Sequence, residues 1–97
     1  MANYVALVKL TAEGAKNLKD GSQRLVKVNE MLAAEGAKFT AAYATLGEYD
    51  YVLVIEGPED ISKVFKISAA AAMMGAHSLR TMPAIPLTDF MKLVTEI

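Results

Sequence analysis

Two short runs in this chain have no polar face. Residues 3–10, Asn-Tyr-Val-Ala-Leu-Val-Lys-Leu, and 49–56, Tyr-Asp-Tyr-Val-Leu-Val-Ile-Glu, are apolar at successive positions through their middles. Neighbouring side chains of a strand point to opposite faces, so a run that is apolar on both sides belongs in a sheet covered on both sides. A chain of 97 residues has to find both covers, yet a domain of this size buries only about two-thirds of the surface its unfolded form exposes. Hydrophobic residues make up 54% of the sequence and the mean hydropathy is +0.28, which is rich for a small free-standing monomer. Aromatic residues are only 7% with no Trp, so large rings do not account for the surplus. It goes either into an unusually full core or onto a second apolar face that a partner buries.

The remaining segments supply helices and edge strands. Thr11 is a plausible cap for a short turn over 12–18, interrupted by Gly14 and by Asp20-Gly21-Ser22. Ser22 can cap a longer helix over 23–35, in which Leu25, Val28, Met31 and Leu32 make one apolar stripe and Gly36 sits at the left-handed C-terminal position. Residues 38–46 read as a strand with Phe39, Ala41, Tyr43 and Thr45 on one face. Gly47-Glu48 then suits a two-residue type II′ hairpin turn. Gly57-Pro58 ends the next strand, and Pro58 suits the first position of a helix over 58–74, with Ile61, Val64, Phe65, Ser68 and Ala72 on one side. Residues 76–84 read as a fourth strand, limited by Pro83 and Pro86. A tail helix from Leu87 to Ile97 follows, capped by Thr88 or Asp89, with Phe90, Leu93, Val94 and Ile97 at helical spacing.

The order strand, helix, strand, strand, helix, strand predicts an α+β fold, the ferredoxin-like βαββαβ sandwich. Its four-stranded antiparallel sheet carries two helices on one face and a short C-terminal helix beyond. No repeat or low-complexity linker divides the chain, so residues 1–97 are expected to form one domain. The helices shield one side of the sheet. The other is expected to be covered by the same face of a second subunit, giving a homodimer or higher oligomer.

Composition removes several function classes. Ten Lys+Arg against eleven Asp+Glu give a net charge of −1, which offers no basic footprint for nucleic acid. The absence of Cys excludes disulfides, thiolate nucleophiles and Cys-based metal sites. No apolar stretch approaches the roughly 20 residues a membrane-spanning helix needs, and residues 1–20 lack a signal-peptide pattern. A cytoplasmic location is the expectation, with neither membrane nor nucleic acid as partner.

Gly47-Glu48-Tyr49-Asp50, followed by Tyr51-Val52-Leu53-Val54-Ile55-Glu56-Gly57-Pro58-Glu59-Asp60, resembles the signature of the GYD domain family. Tyr4-Val5-Ala6-Leu7-Val8-Lys9-Leu10-Thr11, Gly14, Arg24 and Gly75 ahead of Ser78-Leu79-Arg80-Thr81 match as well, so the resemblance spans nearly the whole chain. It departs at His77-Ser78, where such proteins often carry Asn-Val. The resemblance implies a branch of the dimeric α-β barrel group, in which two ferredoxin-like sheets pack face to face. Most members have no assigned activity, so it supports fold and dimer more than chemistry.

The polar residues worth following are Tyr43, Tyr49, Asp50, Arg80, Arg24 and His77. Asp50 is either a general base near Tyr49 or Tyr43, or a side chain that fixes the hairpin through backbone N–H groups. Tyr49 either anchors a ligand or pairs with Tyr43 across the hairpin. Arg80, in mid-strand, needs a carboxylate partner or solvent, and an intersubunit salt bridge is the simplest. His77 is the sole His, with no second His or Cys to complete a transition-metal site. The methionines read as core and interface filler, and the glycines lack the spacing of a phosphate loop.

Two functions fit. One is a homo-oligomeric small-ligand-binding or assembly domain with no resident cofactor. The other is a small enzyme of monooxygenase or isomerase type, cofactor-free or haem-using, with a pocket near Tyr49, Asp50 and Arg80. Whether the chain is an enzyme at all stays open at this level.

Overall fold

The computed structural model of the chain describes residues 2–75 and 77–97. Strand β1 (Ala2–Leu10) leads through a short helix α1 (Ala12–Lys16) and a 3-10 turn (Leu18–Asp20) into helix α2 (Gly21–Ala34). Strands β2 (Lys38–Ala44) and β3 (Tyr51–Gly57) follow, then helix α3 (Ile61–Met73), strand β4 (His77–Ala84) and helix α4 (Leu87–Thr95). The sheet runs β2-β3-β1-β4 with every pair antiparallel. The two all-apolar strands are therefore the central pair. This is the ferredoxin-like α+β arrangement.

Local chemistry sets the element ends. Thr11 Oγ1 accepts from Gly14 N at 3.1 Å and caps α1. Helix α2 begins two residues earlier than its periodicity predicts, because the 3-10 turn feeds straight into it without a side-chain cap. Gly36 closes α2 with φ 75° as expected. Helix α3 starts at Ile61, not at Pro58. Asp60 caps it, accepting from Ser62 N at 3.0 Å and Ser62 Oγ at 2.7 Å. Pro58 instead offers its carbonyl to the Tyr4 hydroxyl at 2.7 Å. Helix α4 begins after Pro86 with no side-chain cap bond, so neither Thr88 nor Asp89 serves as its cap.

The β2–β3 connection also departs from expectation. The strands stop at Ala44 and start again at Tyr51, so a six-residue loop replaces the two-residue hairpin. Gly47 at φ 123° turns the chain, and Thr45 closes the loop through its N–H to Asp50 O at 2.8 Å and its hydroxyl to Tyr49 O at 2.6 Å. A register shift between Phe39 and Ala41 breaks the predicted alternation of β2. That bulge puts Phe39 opposite Ile55 but Tyr43 opposite Val52, on different faces of β3.

Two unlike sheet faces result. Tyr4, Ala6 and Val8 of β1 are 6%, 4% and 2% exposed beneath the helices. Gly57 allows the closest approach at the end of this face: a Cβ there would stand 3.3 Å from the Ala37 Cβ and 3.7 Å from the Tyr4 ring. Across the sheet, Val5 pairs with Val54 and Met82, and Leu7 with Val52 and Arg80, forming the opposite face. Among the described residues no helix makes extensive contact with that face.

Helix α3 is rotated from its predicted setting. Val64, Ile67, Ser68 and Ala71 turn inward, while Ile61 and Phe65 are 61% and 70% exposed. Helix α4 keeps its apolar stripe uncovered as well, with Leu87, Phe90, Met91, Leu93 and Val94 all exposed. Among the described residues an ion pair joins α3 to the end of α2, Lys66 Nζ to Glu35 Oε1 at 2.7 Å.

Candidate functional site

Helices α2 and α3 do not close fully on the sheet. A cleft of about 520 Å³ opens between them, within the range of small-molecule sites. Its floor is the helix-side row of the sheet, including Ala6, Leu53, Ile55 and Leu79, and its roof is Leu25, Val28 and Leu32 of α2 with Val64 and Ile67 of α3. Small residues create the space: Ala6, Ala37, Ala42, Ala44 and Ala71 line it where larger side chains would fill it. Those alanines were the sequence signal for the cleft. An Ala in mid-strand, facing an Ala-rich helix, leaves no side chain long enough to meet across the layer.

Polar groups are few, and some are spent. Ser68 Oγ donates to Thr81 Oγ1 at 3.2 Å, and the Tyr4 hydroxyl is engaged on Pro58. Two basic ones are not. His77, opposite Leu10 at the start of β4, lines the cleft, and its Nδ1 is buried with no hydrogen-bond partner. Burial pushes the His77 pKa below its ordinary value, and the positive charge of Arg24 acts in the same direction. The pull of its own backbone carbonyl offsets this only in part. Arg24 is half-buried at the cleft's edge, donates to Asn17 O at 3.2 Å and makes no ion pair among the described residues.

Of the six residues singled out from sequence, Arg24 and His77 come together here, with Tyr43 bordering the cleft from edge strand β2. Asp50 lies elsewhere. Its Oδ2 accepts from Leu10 N at 2.7 Å and its own N–H donates to Val8 O at 2.8 Å, so it fastens the β2–β3 loop to β1. Tyr49 sits beside it in that loop, its carbonyl held by Thr45. Arg80 stands on the opposite face of the sheet, in register with Leu7, and forms no ion pair with Asp50 or Glu56. The structure does not gather Tyr49, Asp50 and Arg80 into one pocket. Among the described residues no group of three or more His, Asp or Glu is placed to hold a metal ion, and no helix is long and apolar enough to cross a membrane.

Comparison with known proteins agrees with this architecture. The chain is 36% identical over 90 residues to the glutamine synthetase and cystathionine beta-lyase binding protein of Thermus thermophilus, covering 92% of this chain and 94% of that one. The crystal structure of FFRP-DM1 superposes with a TM-score of 0.55 at 26% identity, over 88% of this chain and 100% of that one. The hypothetical protein PHS023 of Pyrococcus horikoshii superposes at 0.53 and 25% identity, over 89% and 92%. The GYD domain model matches residues 4–94, and the chain belongs to the GYD domain family.

Proposed function

We propose that this chain is a self-associating assembly domain that binds other proteins, with its open sheet face as the self-contact. The observation that carries this is the apolar row of Val5, Leu7, Val52, Val54 and Met82 on the sheet face turned away from α2 and α3, Met82 exposed and the others half-buried. Leaving such a row in water is unfavourable by about 25 cal/mol per Å² of apolar surface. The same row on a second copy is complementary to it by symmetry. Arg80 on this face would then meet its carboxylate, such as Glu56, across the interface.

Area argues for a contribution from α4. Four strands about 4.8 Å apart, each with about seven residues rising about 3.3 Å, make a flat face on the order of 400 Å². A stable interface takes about 800 Å² from each partner. The exposed stripe of Leu87, Phe90, Met91, Leu93 and Val94 supplies the remainder if α4 lies against the second copy.

The relative named for binding glutamine synthetase and cystathionine β-lyase makes those two enzymes the first protein partners to try. Sedimentation of the wild-type protein at micromolar concentration should give a dimer or larger species. Immobilised protein should retain one of the two purified enzymes. A monomer at every accessible concentration, with neither enzyme retained, overturns the proposal.

A further inference from the structure

The cleft on the helix side asks for an occupant of its own, independent of the assembly reading, which concerns the other face. Its walls are mostly apolar, its size suits a small molecule, and its two basic side chains stand at one end. Ser68 and Thr81 satisfy each other, and Tyr4 is satisfied by Pro58. Besides the Ser22, Tyr43 and Tyr51 hydroxyls there remain, at one end, Arg24, with one of its five N–H groups on Asn17 O, and His77, whose buried Nδ1 has no partner and donates in one tautomer. Glu13 and Asp20 border a separate polar hollow on the other side of Arg24 without reaching ion-pair distance.

We propose that the cleft between the sheet and helices α2 and α3 binds an amphipathic monocarboxylate, its apolar tail between Leu53, Ile55 and Val28 and its carboxylate on Arg24 beside His77. A carboxylate gives Arg24 the bidentate acceptor that its fork of donors fits, at a lip where partial burial strengthens the contact. The tail removes water from walls that the chain's own alanines leave unfilled. An ammonium of the same length would face Arg24 and be repelled; a neutral alcohol would gain the tail contacts alone. The site thus selects by charge at one end and by apolar fit at the other.

Three eight-carbon probes test this on the intact protein: octanoate, octanol and octylammonium. Their binding is followed by side-chain methyl chemical shifts and calorimetry, with oligomer size measured on the same samples. Octanoate should saturate with Kd on the order of 0.1–1 mM, as suits a ligand of about ten heavy atoms. It should shift Leu53, Leu79 and Val28 and leave Leu7, Val52 and Val54 of the other face unmoved. Octylammonium should bind at least about tenfold more weakly, the usual worth of a charge-assisted bond. Arg24→Gln should bring octanoate down to the level of octanol, and Arg24→Lys should restore part of the preference. Equal binding of all three probes, shifts centred on Val52 and Val54, or an Arg24→Gln variant that binds octanoate unchanged would overturn the proposal. So would the absence of saturation at roughly ten times the expected Kd. Octanoate binding by a protein that proves monomeric faults the assembly reading only; a dimer that ignores octanoate faults this site only.

Discussion

The two faces of the sheet are built from the same strands and have nearly the same chemistry, yet they have opposite fates. On β1, Tyr4, Ala6 and Val8 lie under the helices, while Val5 and Leu7, their immediate neighbours, face the open side. The helix side mixes large residues, Tyr4, Leu53 and Ile55, with alanines, and contains a cleft. The open side carries Val5, Leu7, Val52, Val54 and Met82, turned away from α2 and α3. The contrast teaches where each apolar group contributes: the first face holds the monomer together, and the second has no intramolecular role large enough to explain it.

That division breaks most clearly with paired substitutions. Leu32→Ala removes one of the most buried side chains, at 2% exposure, and should cost about 2–5 kcal/mol of folding stability with the self-contact intact in whatever remains folded. Denaturant unfolding measures it. A loss under about 0.5 kcal/mol, the level of an ordinary surface change, would mean that α2 is not packed on the sheet as described. Val54→Lys on the other face should do the reverse. It should weaken self-association by roughly 10–100-fold, through a charge buried without a partner, while leaving monomer stability within about 0.5 kcal/mol. If Val54→Lys instead unfolds the monomer and leaves the sedimentation profile unchanged, the open face is not the interface.

A third substitution sharpens the comparison at the sheet's end. Asp50→Ala removes the acceptor for Leu10 N, one of the few side-chain ties between the β2–β3 loop and β1. The loss should be about 1–2 kcal/mol, typical of a part-buried hydrogen bond to a charged group. Amide exchange at Leu10 should accelerate along with it. Asp50→Asn keeps an acceptor oxygen and should recover most of the stability, which a general base would not tolerate so well if any turnover were found.

The order of elements, the central position of the two all-apolar strands and the bare face were legible in the sequence, because each follows from periodicity over six or more residues. The errors cluster where a long-range contact decides a local choice. Tyr4 recruits the Pro58 carbonyl across 54 positions, and α3 then starts at Ile61 behind the Asp60 cap. Asp50 is committed to Leu10 across 40 positions, so the turn after β2 lengthens to six residues and Tyr49 and Asp50 leave Arg80 on another face. The bulge near Thr40 moved Tyr43 off the side of Phe39, which no alternating pattern reveals. Arg24 and His77 were visible as isolated residues, but their meeting at the cleft depends on how α2 and β4 sit across the layer.

The smallest effect is the pH dependence of stability, and its sign is determined by three groups. The Lys66 ammonium, hydrogen-bonded to Glu35, holds that carboxyl below its ordinary 4.5, and the Ser62 hydroxyl and then its N–H do the same for Asp60 below 3.8. A carboxylate depressed on folding contributes stability above its unfolded pKa and loses it as pH falls. His77 is depressed below 6.5 by burial and by Arg24, so the unfolded chain takes up the proton first. Its effect therefore has the same sign: the fold weakens as pH drops through the ordinary His range. Glu35, through its pair with the exposed Lys66, and Asp60, through its cap bonds to Ser62, act at lower pH. The informative window is then between neutrality and about pH 5.5, where only His77 titrates of the three. Melting temperature should fall modestly across it in the wild type and stay level in His77→Gln, with both proteins weakening together at lower pH. Acid stabilisation in that window would mean that the His77 ring gains a carboxylate partner in the folded protein. A wild type as level as the variant would mean that water reaches Nδ1 from the cleft, making the helix side of the sheet wetter than its residues suggest.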